Sequence, residues 1–191
     1  MAVDDTIVAT ATAAGAGALA LVRLSGAGAH RIAATLVRGA LPPARRAALR
    51  RLEDGDGSAL DEAVVITYDA PRSYSGEDSV EFICHGGWVT PTRIVRALVS
   101  AGARPAAPGE FTRRAVLNGK LDLVQAEAVN DLIRAESSAG ADAALRQLDG
   151  GLSRRIRALR DAILDLEALV AYEIDFPEED DGPIDDRTIE R

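Results

Sequence analysis

The alternation of apolar and polar residues in the first half of the chain predicts short β-strands. We expect strands at residues 6–12, 18–24, 47–52, 63–68, 79–84 and 104–107. Two stretches with helical spacing, residues 27–37 and 91–101, interrupt this series. Such an order of elements predicts an α+β domain built on a mixed β-sheet.

Beyond Gly109 the strand signals end and apolar residues recur at intervals of three and four. We expect one helix near residues 121–136 and a single long helix over residues 141–172. The long helix would carry an apolar seam made of Leu145, Leu148, Leu152, Ile156, Leu159, Ile163, Leu166 and Val170. Because such a seam needs a partner, we expect residues 119–191 to be the first part of a helical domain, completed by downstream segments of a longer chain or by another subunit. Residues 1–118 would be the sheet domain.

Charge is distributed unevenly along the 191 residues, whose formal net charge is −8. Residues 1–118 carry 13 basic and 12 acidic side chains, whereas residues 119–191 carry 9 and 18. Eight of these acids lie in a run at residues 173–186, which we interpret as a solvated loop. The overall acidity therefore does not exclude nucleic-acid binding by the first half.

Composition also limits the chemistry and the location of the protein. A single cysteine, Cys84, excludes an internal disulfide, and with only two histidines we expect no zinc or other metal site. The Asp54-Gly-Asp-Gly-Ser58 segment departs from the calcium-loop pattern and is interpreted as a hairpin turn. The acidic N-terminus and the absence of a long apolar run predict a cytoplasmic protein with no membrane span.

Three charged residues are candidates for a binding site. Lys120 is the only lysine among 22 basic residues, and it follows the turn-forming pair Asn118-Gly119. Arg23 and Glu81 each interrupt an apolar strand, where a lone charge most often faces solvent. Together, one carboxylate and two cations would suit a planar heterocycle that carries acid groups, because a carboxylate can accept two parallel hydrogen bonds from an amino-pyrimidinone edge.

Several longer motifs carry a resemblance to a known family. The motifs are Asp5-Thr-Ile-Val-Ala9, Val22-Arg-Leu-Ser-Gly26, Ser73-Tyr-Ser-Gly-Glu-Asp78, His85-Gly-Gly87, Pro108-Gly-Glu-Phe-Thr112, Leu117-Asn-Gly-Lys-Leu-Asp-Leu123, Gln125-Ala-Glu127 and Ile174-Asp-Phe-Pro-Glu-Glu-Asp180. In this order and spacing they resemble the N-terminal part of the MnmE (TrmE) family of bacterial tRNA-modifying GTPases. The resemblance covers nearly the whole chain.

The resemblance implies a function for the sheet domain. In that family this domain is a homodimerising module that binds a tetrahydrofolate derivative, in the 5-formyl or 5,10-methylene form. The matching ligand positions here are Arg23, Glu81 and Lys120. With an FAD-dependent MnmG-type partner, the family forms the aminomethyl or carboxymethylaminomethyl group on the wobble uridine (U34) of tRNA, and GTP hydrolysis drives its conformational cycle.

Two departures from the family pattern affect these expectations. The loop at residues 13–18 lacks the arginine and the prolines usual in the family. No G-x-x-x-x-G-K-[ST] phosphate loop occurs, so we expect this chain alone not to hydrolyse GTP, and we assign GTP, Mg²⁺ and K⁺ to a G domain outside it. Two alternatives therefore stay open, a stand-alone folate-dependent one-carbon transferase and a non-catalytic scaffold for dimerisation or tRNA docking.

Other polar patches are weaker candidates. One arginine cluster spans residues 45–51 and another spans residues 154–160, and either could contact tRNA phosphates, although solvated surfaces are the simpler interpretation. His85 lies beside two glycines, and the sequence identifies no acid that could pair with it. We therefore interpret His85 as a turn residue or a wall of a ligand pocket, with no catalytic residue assigned.

Overall fold

A computed structural model describes residues 5–175, apart from the side chain of Glu173. These residues form two compact units that divide between Leu121 and Asp122. We call residues 5–121 the sheet unit and residues 122–175 the helical unit. Most of the predicted acidic loop, and most of the motif at residues 174–180, lie outside the described residues.

The sheet unit contains six strands and three helices. In chain order these are β1 (Ile7–Thr10), β2 (Leu19–Ser25), α1 (Ala29–Ala34), β3 (Ala48–Glu53), β4 (Ala59–Tyr68), β5 (Ser79–His85), α2 (Thr90–Ser100), β6 (Arg104–Pro105) and α3 (Glu110–Leu117). The strands form one sheet in the order β3-β4-β5-β2-β1-β6. All neighbours are antiparallel except β1 and β6, which are parallel, so the predicted mixed sheet and α+β class are confirmed.

The predicted elements are largely present, with shifted ends. The helix expected over residues 27–37 is shorter and spans only α1. Val37 lies beyond its end and forms an antiparallel bridge to Leu52. The turn at residues 54–58 joins β3 to β4 as a hairpin, as predicted. Its oxygens accept backbone hydrogen bonds: Asp54 Oδ1 accepts from Ser58 N–H at 3.1 Å.

Alternation along the central strands separates two faces of the sheet. One face is fully buried beneath α1 and α2, and its core includes Val22, Leu24, Val65, Val80, Phe82, Ile32, Ile94 and Leu98. Arg23 and Glu81 fall between buried neighbours in β2 and β5, and they are direct partners in the strand register. Both side chains therefore project from the opposite face.

A tight bend follows α3. Gly119 has a φ of 68°, in the left-handed region that glycine adopts without strain, and Lys120 N–H donates to Ala115 O at 2.8 Å. This pattern of hydrogen bonding is typical of helix C-termini that end at glycine. The bend predicted from Asn118-Gly119 is thus present, with Lys120 on it.

The helical unit contains three helices, α4 (Leu123–Arg134), α5 (Ser138–Leu148) and α6 (Gly151–Asp175). A capping box begins α4, since Asp122 accepts from Gln125 N–H and Gln125 accepts from Asp122 N–H. Gln125 Nε2 also donates to Leu148 O at 2.7 Å, which satisfies a carbonyl at the end of α5. No helix in the described part of the chain is both long enough and apolar enough to span a membrane.

The prediction of a single long helix over residues 141–172 is wrong. The chain breaks between α5 and α6, where Gly150 has a φ of 76° and so ends α5 in a left-handed conformation. The apolar spacing passes through this break, which is why periodicity alone suggests one helix. Along α6 the seam residues remain about half exposed, from 42% at Leu152 to 64% at Leu159.

Candidate functional site

An open cavity of about 460 Å³ lies in the sheet unit. It is lined by Arg23, Arg45, Tyr68, Arg72, Ser73, Tyr74, Ser79, Glu81 and Lys120. The structure therefore brings together all three residues that the sequence singled out. They come from β2, β5 and the bend after α3, which are far apart along the chain.

Arg23 and Glu81 form an ion pair at the floor of this cavity. Arg23 Nε and Nη2 each lie 2.8 Å from Glu81 Oε1. The interpretation of both residues as solvent-facing is wrong, because their side chains are only 19% and 14% exposed. The pairing follows from strand register, since cross-strand neighbours on one face lie within contact distance.

Tyr68 of β4 supports the same carboxylate. Its hydroxyl donates to Glu81 Oε2 at 3.1 Å. Burial, together with the nearby Glu81 charge, raises the pKa of Tyr68, so the hydroxyl stays protonated and able to donate. Glu81 Oε1 thus faces two nitrogens of Arg23, whereas Oε2 has Tyr68 as its one donor and keeps a second lone pair for a ligand.

Two aromatic rings enclose the guanidinium of Arg23. Its Cζ lies 4.8 Å from the ring centroid of Tyr74 and 5.6 Å from that of Phe111. Both distances are within the range of cation–π attraction. Tyr74 is itself held from α3, because its hydroxyl lies 2.8 Å from Thr112 Oγ1. Arg23 is consequently held in place without being fully buried.

Lys120 lies at the rim of the cavity and is exposed. Its aliphatic stem packs closely on Gly76: a Cβ added there would lie 2.9 Å from Lys120 Cγ and 2.9 Å from Asn118 Cβ. Asn118 Nδ2 donates to Ser75 O at 2.8 Å and joins the bend to the same loop. Gly76 is therefore what permits the close approach of the bend, with a φ of 80° that also favours glycine.

The cavity carries a surplus of positive charge. Among the described residues that line it, Glu81 is the one acid, and it is already paired with Arg23. Arg45, Arg72 and Lys120 form no ion pair with any described residue. Sequence reasoning placed Arg45 in a surface cluster and did not select Arg72, Tyr68 or Tyr74, although Tyr74 lies in a quoted motif. The arrangement can bind a planar group with donors on one edge and carboxylates on its tail.

A second ion cluster, which the sequence did not reveal, centres on Arg114 of α3. This side chain is 2% exposed, and it contacts Asp5, Glu77 and Glu110. Its Nη1 donates to Asp5 O at 2.9 Å and to Glu77 Oε1 at 3.2 Å, and its Nη2 donates to Glu110 Oε1 at 3.2 Å. The cluster joins the start of the chain to α3.

Arg104 extends this cluster and lowers the pKa values of two of its acids. Its Nη2 lies 2.7 Å from Glu110 Oε1, and its Nε lies 2.6 Å from Asp5 Oδ2. The hydrogen bond from Arg104 lowers the pKa of Glu110 to about 2, with a further contribution from Arg114. The same arginines lower the pKa of Asp5. Asp5 and Glu110 therefore stay ionised at neutral pH.

Two features from the sequence lie outside this cavity. His85 has a partner acid after all: its Nδ1 lies 2.7 Å from Asp61 Oδ1, and its backbone N–H donates to Asp61 Oδ2 at 2.8 Å. Burial opposes ionisation of Asp61, but these hydrogen bonds outweigh it and lower its pKa. The altered loop at residues 13–18 contributes to a different surface cavity, beside Trp88.

Fold and site together define a protein with a sheet unit that carries an open cavity rich in basic residues, followed along the chain by a helical unit. Residues 6–120 match the family described as the GTP-binding protein TrmE N-terminus, and residues 123–191 match the MnmE helical domain. The chain therefore belongs to the MnmE (TrmE) family, as its motifs predicted.

Individual relatives agree with this assignment. The tRNA modification GTPase MnmE of Halorhodospira halophila is 49% identical over 181 residues, which are 95% of this chain and 38% of the relative. A protein of the same name from Thermus thermophilus is 49% identical over 200 residues, 98% of this chain and 45% of the relative. The chain thus spans about two-fifths of the length of the curated relatives that it matches.

Proposed function

We propose that the sheet unit binds a one-carbon tetrahydrofolate, in the 5-formyl or 5,10-methylene form, in the cavity around Arg23, Glu81 and Lys120. The observation that carries the proposal is the convergence of these three residues, from separate elements, on one open cavity. Family membership supports it, because the resemblance assigns folate contacts to the same positions.

The chemistry of the cavity suits the two ends of such a ligand. The open lone pair on Glu81 Oε2 would accept a hydrogen bond from the amino-pyrimidinone edge of the pterin. Arg45, Arg72 and Lys120 would attract the carboxylates of the glutamate tail. Tyr74 and the Arg23 guanidinium offer flat surfaces against which a ring can stack.

Calorimetric titration with 5-formyltetrahydrofolate tests this proposal. We expect wild-type protein to bind, and Lys120→Met and Glu81→Ala each to weaken binding at least tenfold, which corresponds to about 1.4 kcal/mol. Arg45 and Arg46 provide a matched pair, since only Arg45 lines the cavity. Arg45→Met should weaken binding, and Arg46→Met should not. A folded wild-type protein that shows no heat of binding would refute the proposal.

We further propose that the chain works as the folate-binding and dimerising part of a cytoplasmic tRNA-modification GTPase. With an FAD-dependent MnmG-type partner, that protein would form the aminomethyl or carboxymethylaminomethyl group on U34 of tRNA, with the folate supplying carbon. GTP, Mg²⁺ and K⁺ would be bound by a G domain outside this sequence. Sedimentation over a range of concentrations tests the dimer, and a persistent monomer would contradict it.

The alternative of a stand-alone one-carbon transferase has less support. Such an enzyme would need a free acid or base at the cavity, but Glu81 is already paired with Arg23. The His85–Asp61 pair lies at the other end of β5 from Ser79, which lines the cavity. The third hypothesis is a non-catalytic scaffold for tRNA docking. A gel-shift with tRNA, in the presence and absence of folate, distinguishes it from the two folate-dependent functions. Folate-independent binding of tRNA would favour the scaffold.

A further inference from the structure

One imidazole and two carboxylates meet on the sheet unit, away from the ion pairs described above. His30 lies in α1, Asp69 directly follows β4, and Asp78 directly precedes β5. His30 Nε2 is 3.8 Å from Asp69 Oδ1, and His30 Nδ1 is 4.0 Å from Asp78 Oδ2. One potential ligand atom from each residue lies within 4.8 Å of the other two.

The contacts within this trio are too long for hydrogen bonds, and one of its atoms lacks a partner. His30 Nε2 is shielded from solvent and has no hydrogen-bond partner among the described residues. A buried ring nitrogen without a partner costs free energy, on the order of 1–3 kcal/mol. A bound atom or ion between the ring and the carboxylates, in contact with Nε2, would remove this cost.

The spacing is somewhat wider than that of ligands around a small cation. Zinc is bound at about 2.0–2.1 Å by imidazole nitrogen and about 2.0–2.2 Å by carboxylate oxygen, so in a tetrahedral site two ligand atoms lie about 3.3–3.5 Å apart. The 3.8 Å between His30 Nε2 and Asp69 Oδ1 is slightly longer than this. The longest separation in the trio is within 4.8 Å and needs to shorten by about 1 Å. Asp69, whose side chain is 58% exposed, is free to make that adjustment.

Asp78 is held by a backbone donor. Its Oδ1 accepts from Ala70 N–H at 2.9 Å, and its Oδ2 lies 4.0 Å from Nδ1, the other ring nitrogen, so the imidazole or this carboxylate must rotate for both carboxylates to reach one cation. A carboxylate held by a backbone donor resembles the supporting hydrogen bonds that orient ligands in metal sites. The cluster therefore has a buried imidazole nitrogen, a carboxylate held by a backbone donor and an exposed carboxylate that can move.

We propose that His30, Asp69 and Asp78 bind a divalent transition-metal cation, with Zn²⁺ as the best match. One nitrogen and two oxygen ligands suit zinc, and three protein ligands leave a fourth position for water. This departs from the expectation, based on few histidines and one cysteine, that no metal site exists. That expectation did not count carboxylates as ligands.

Binding would connect the trio to the candidate folate cavity without depending on it. A cation would tie α1 to residues 69–78, the segment that supplies Arg72, Ser73 and Tyr74 to the cavity. Because a cation that binds only the folded state stabilises it, Zn²⁺ should raise the unfolding temperature. The same effect is expected whether or not the cavity binds folate.

Titration of tag-free protein with Zn²⁺, in competition with a chromophoric chelator, tests the site. We expect one equivalent to bind with an affinity that His30→Gln and Asp69→Asn each lower at least tenfold. The chain offers a matched control, because His85→Gln removes the other histidine and should leave the affinity unchanged. Asp69 is exposed, so Asp69→Asn reports on binding even if His30→Gln fails to fold.

Thermal unfolding supplies a second measurement on the same proteins. Excess Zn²⁺ should raise the unfolding temperature of wild type and His85→Gln, and should not raise that of Asp69→Asn. Absence of the zinc-dependent shift in wild type would overturn the proposal. Zinc binding that is equal in wild type and Asp69→Asn would also overturn it, because the cation would then be held elsewhere, for example by the acidic run at residues 173–186.

Discussion

Two arginines of the sheet unit sit in ion pairs of opposite character. Arg114 is 2% exposed and contacts three carboxylates, whereas Arg23 is 19% exposed and contacts one. Around Arg114 the acceptors are supplied by the protein itself, from three parts of the chain. Around Arg23 the protein supplies one acid and two aromatic rings, and it leaves the cavity open.

The difference separates a structural cluster from a candidate binding site. A buried charge that loses a partner leaves an uncompensated ion, so the Arg114 cluster should tolerate little change. A partly exposed pair in contact with water contributes little to stability, so the Arg23 pair can exchange contacts with a ligand. The same residue type therefore serves folding in one place and, in the function that we propose, recognition in the other.

The largest expected effect is on the stability contributed by the Arg114 cluster. Arg114→Met should lower the free energy of unfolding by about 3–5 kcal/mol, because Asp5, Glu77 and Glu110 would be left facing each other without their shared cation. Denaturant unfolding followed by circular dichroism measures it. The adjacent Arg113 is exposed, and Arg113→Met should change stability by no more than about 0.5 kcal/mol. Equal losses for both variants would contradict the distinction.

Acid should act on the same cluster. The pKa of Glu110 in the folded protein, about 2, lies below its ordinary value of 4.5. Its contribution is therefore fully present above pH 4.5 and is lost as the pH falls towards 2. We expect a loss of at most about 3 kcal/mol over this range. Glu110→Gln should be less stable at pH 7 and should show a shallower acid slope in denaturant titrations; an unchanged slope would refute this assignment.

A substitution at Gly76 should selectively weaken ligand binding in the candidate folate cavity. Gly76→Ala places a methyl group against the stem of Lys120, so we expect binding of 5-formyltetrahydrofolate to weaken about tenfold, or about 1.4 kcal/mol. Gly57→Ala is the control: its φ of 85° is similar, but no atom lies within 4 Å of the added methyl. Both variants should lose about 1–2 kcal/mol of stability from the left-handed backbone. Equal ligand affinities in the two would contradict the role given to Gly76.

The smallest expected effect concerns the support of Glu81. Tyr68→Phe removes the donor to Glu81 Oε2 but leaves the ion pair with Arg23 intact. We expect a loss of about 0.5–1.5 kcal/mol in unfolding free energy. Tyr74→Phe keeps its ring over Arg23 and should weaken folate binding less than Tyr68→Phe does. Calorimetry on the pair measures this, and the reverse order would argue against Glu81 as the pterin contact.

Local pattern predicted the elements of the sheet unit well, because alternation and turn residues act over a few positions. The contact between Arg23 and Glu81 could not be predicted, since it depends on β2 lying beside β5 in the sheet. Arg114 was missed for a related reason. It stands beside Arg113 in the sequence, and only the packing of α3 decides which of the two is buried.

In the helical unit, by contrast, the error was local. Gly150 and Gly151 follow Asp149 and are a recognisable helix stop, but the spacing of leucines across them suggested continuity. The candidate site was found because Arg23 and Glu81 interrupt apolar strands and Lys120 is the only lysine, whereas the cluster at His30 has no such signal. Carboxylates from separate loops become ligands only when the fold brings them together.

The parallel pairing of β1 with β6 also has a consequence for synthesis. Ile7 emerges from the ribosome nearly a hundred residues before Arg104, its neighbour in the sheet. At a translation rate of ~5–20 residues per second, one edge of β1 therefore stays unpaired for about 5–20 s until β6 is synthesised. During translation the nascent sheet keeps an open edge there, and only the arrival of β6 closes it.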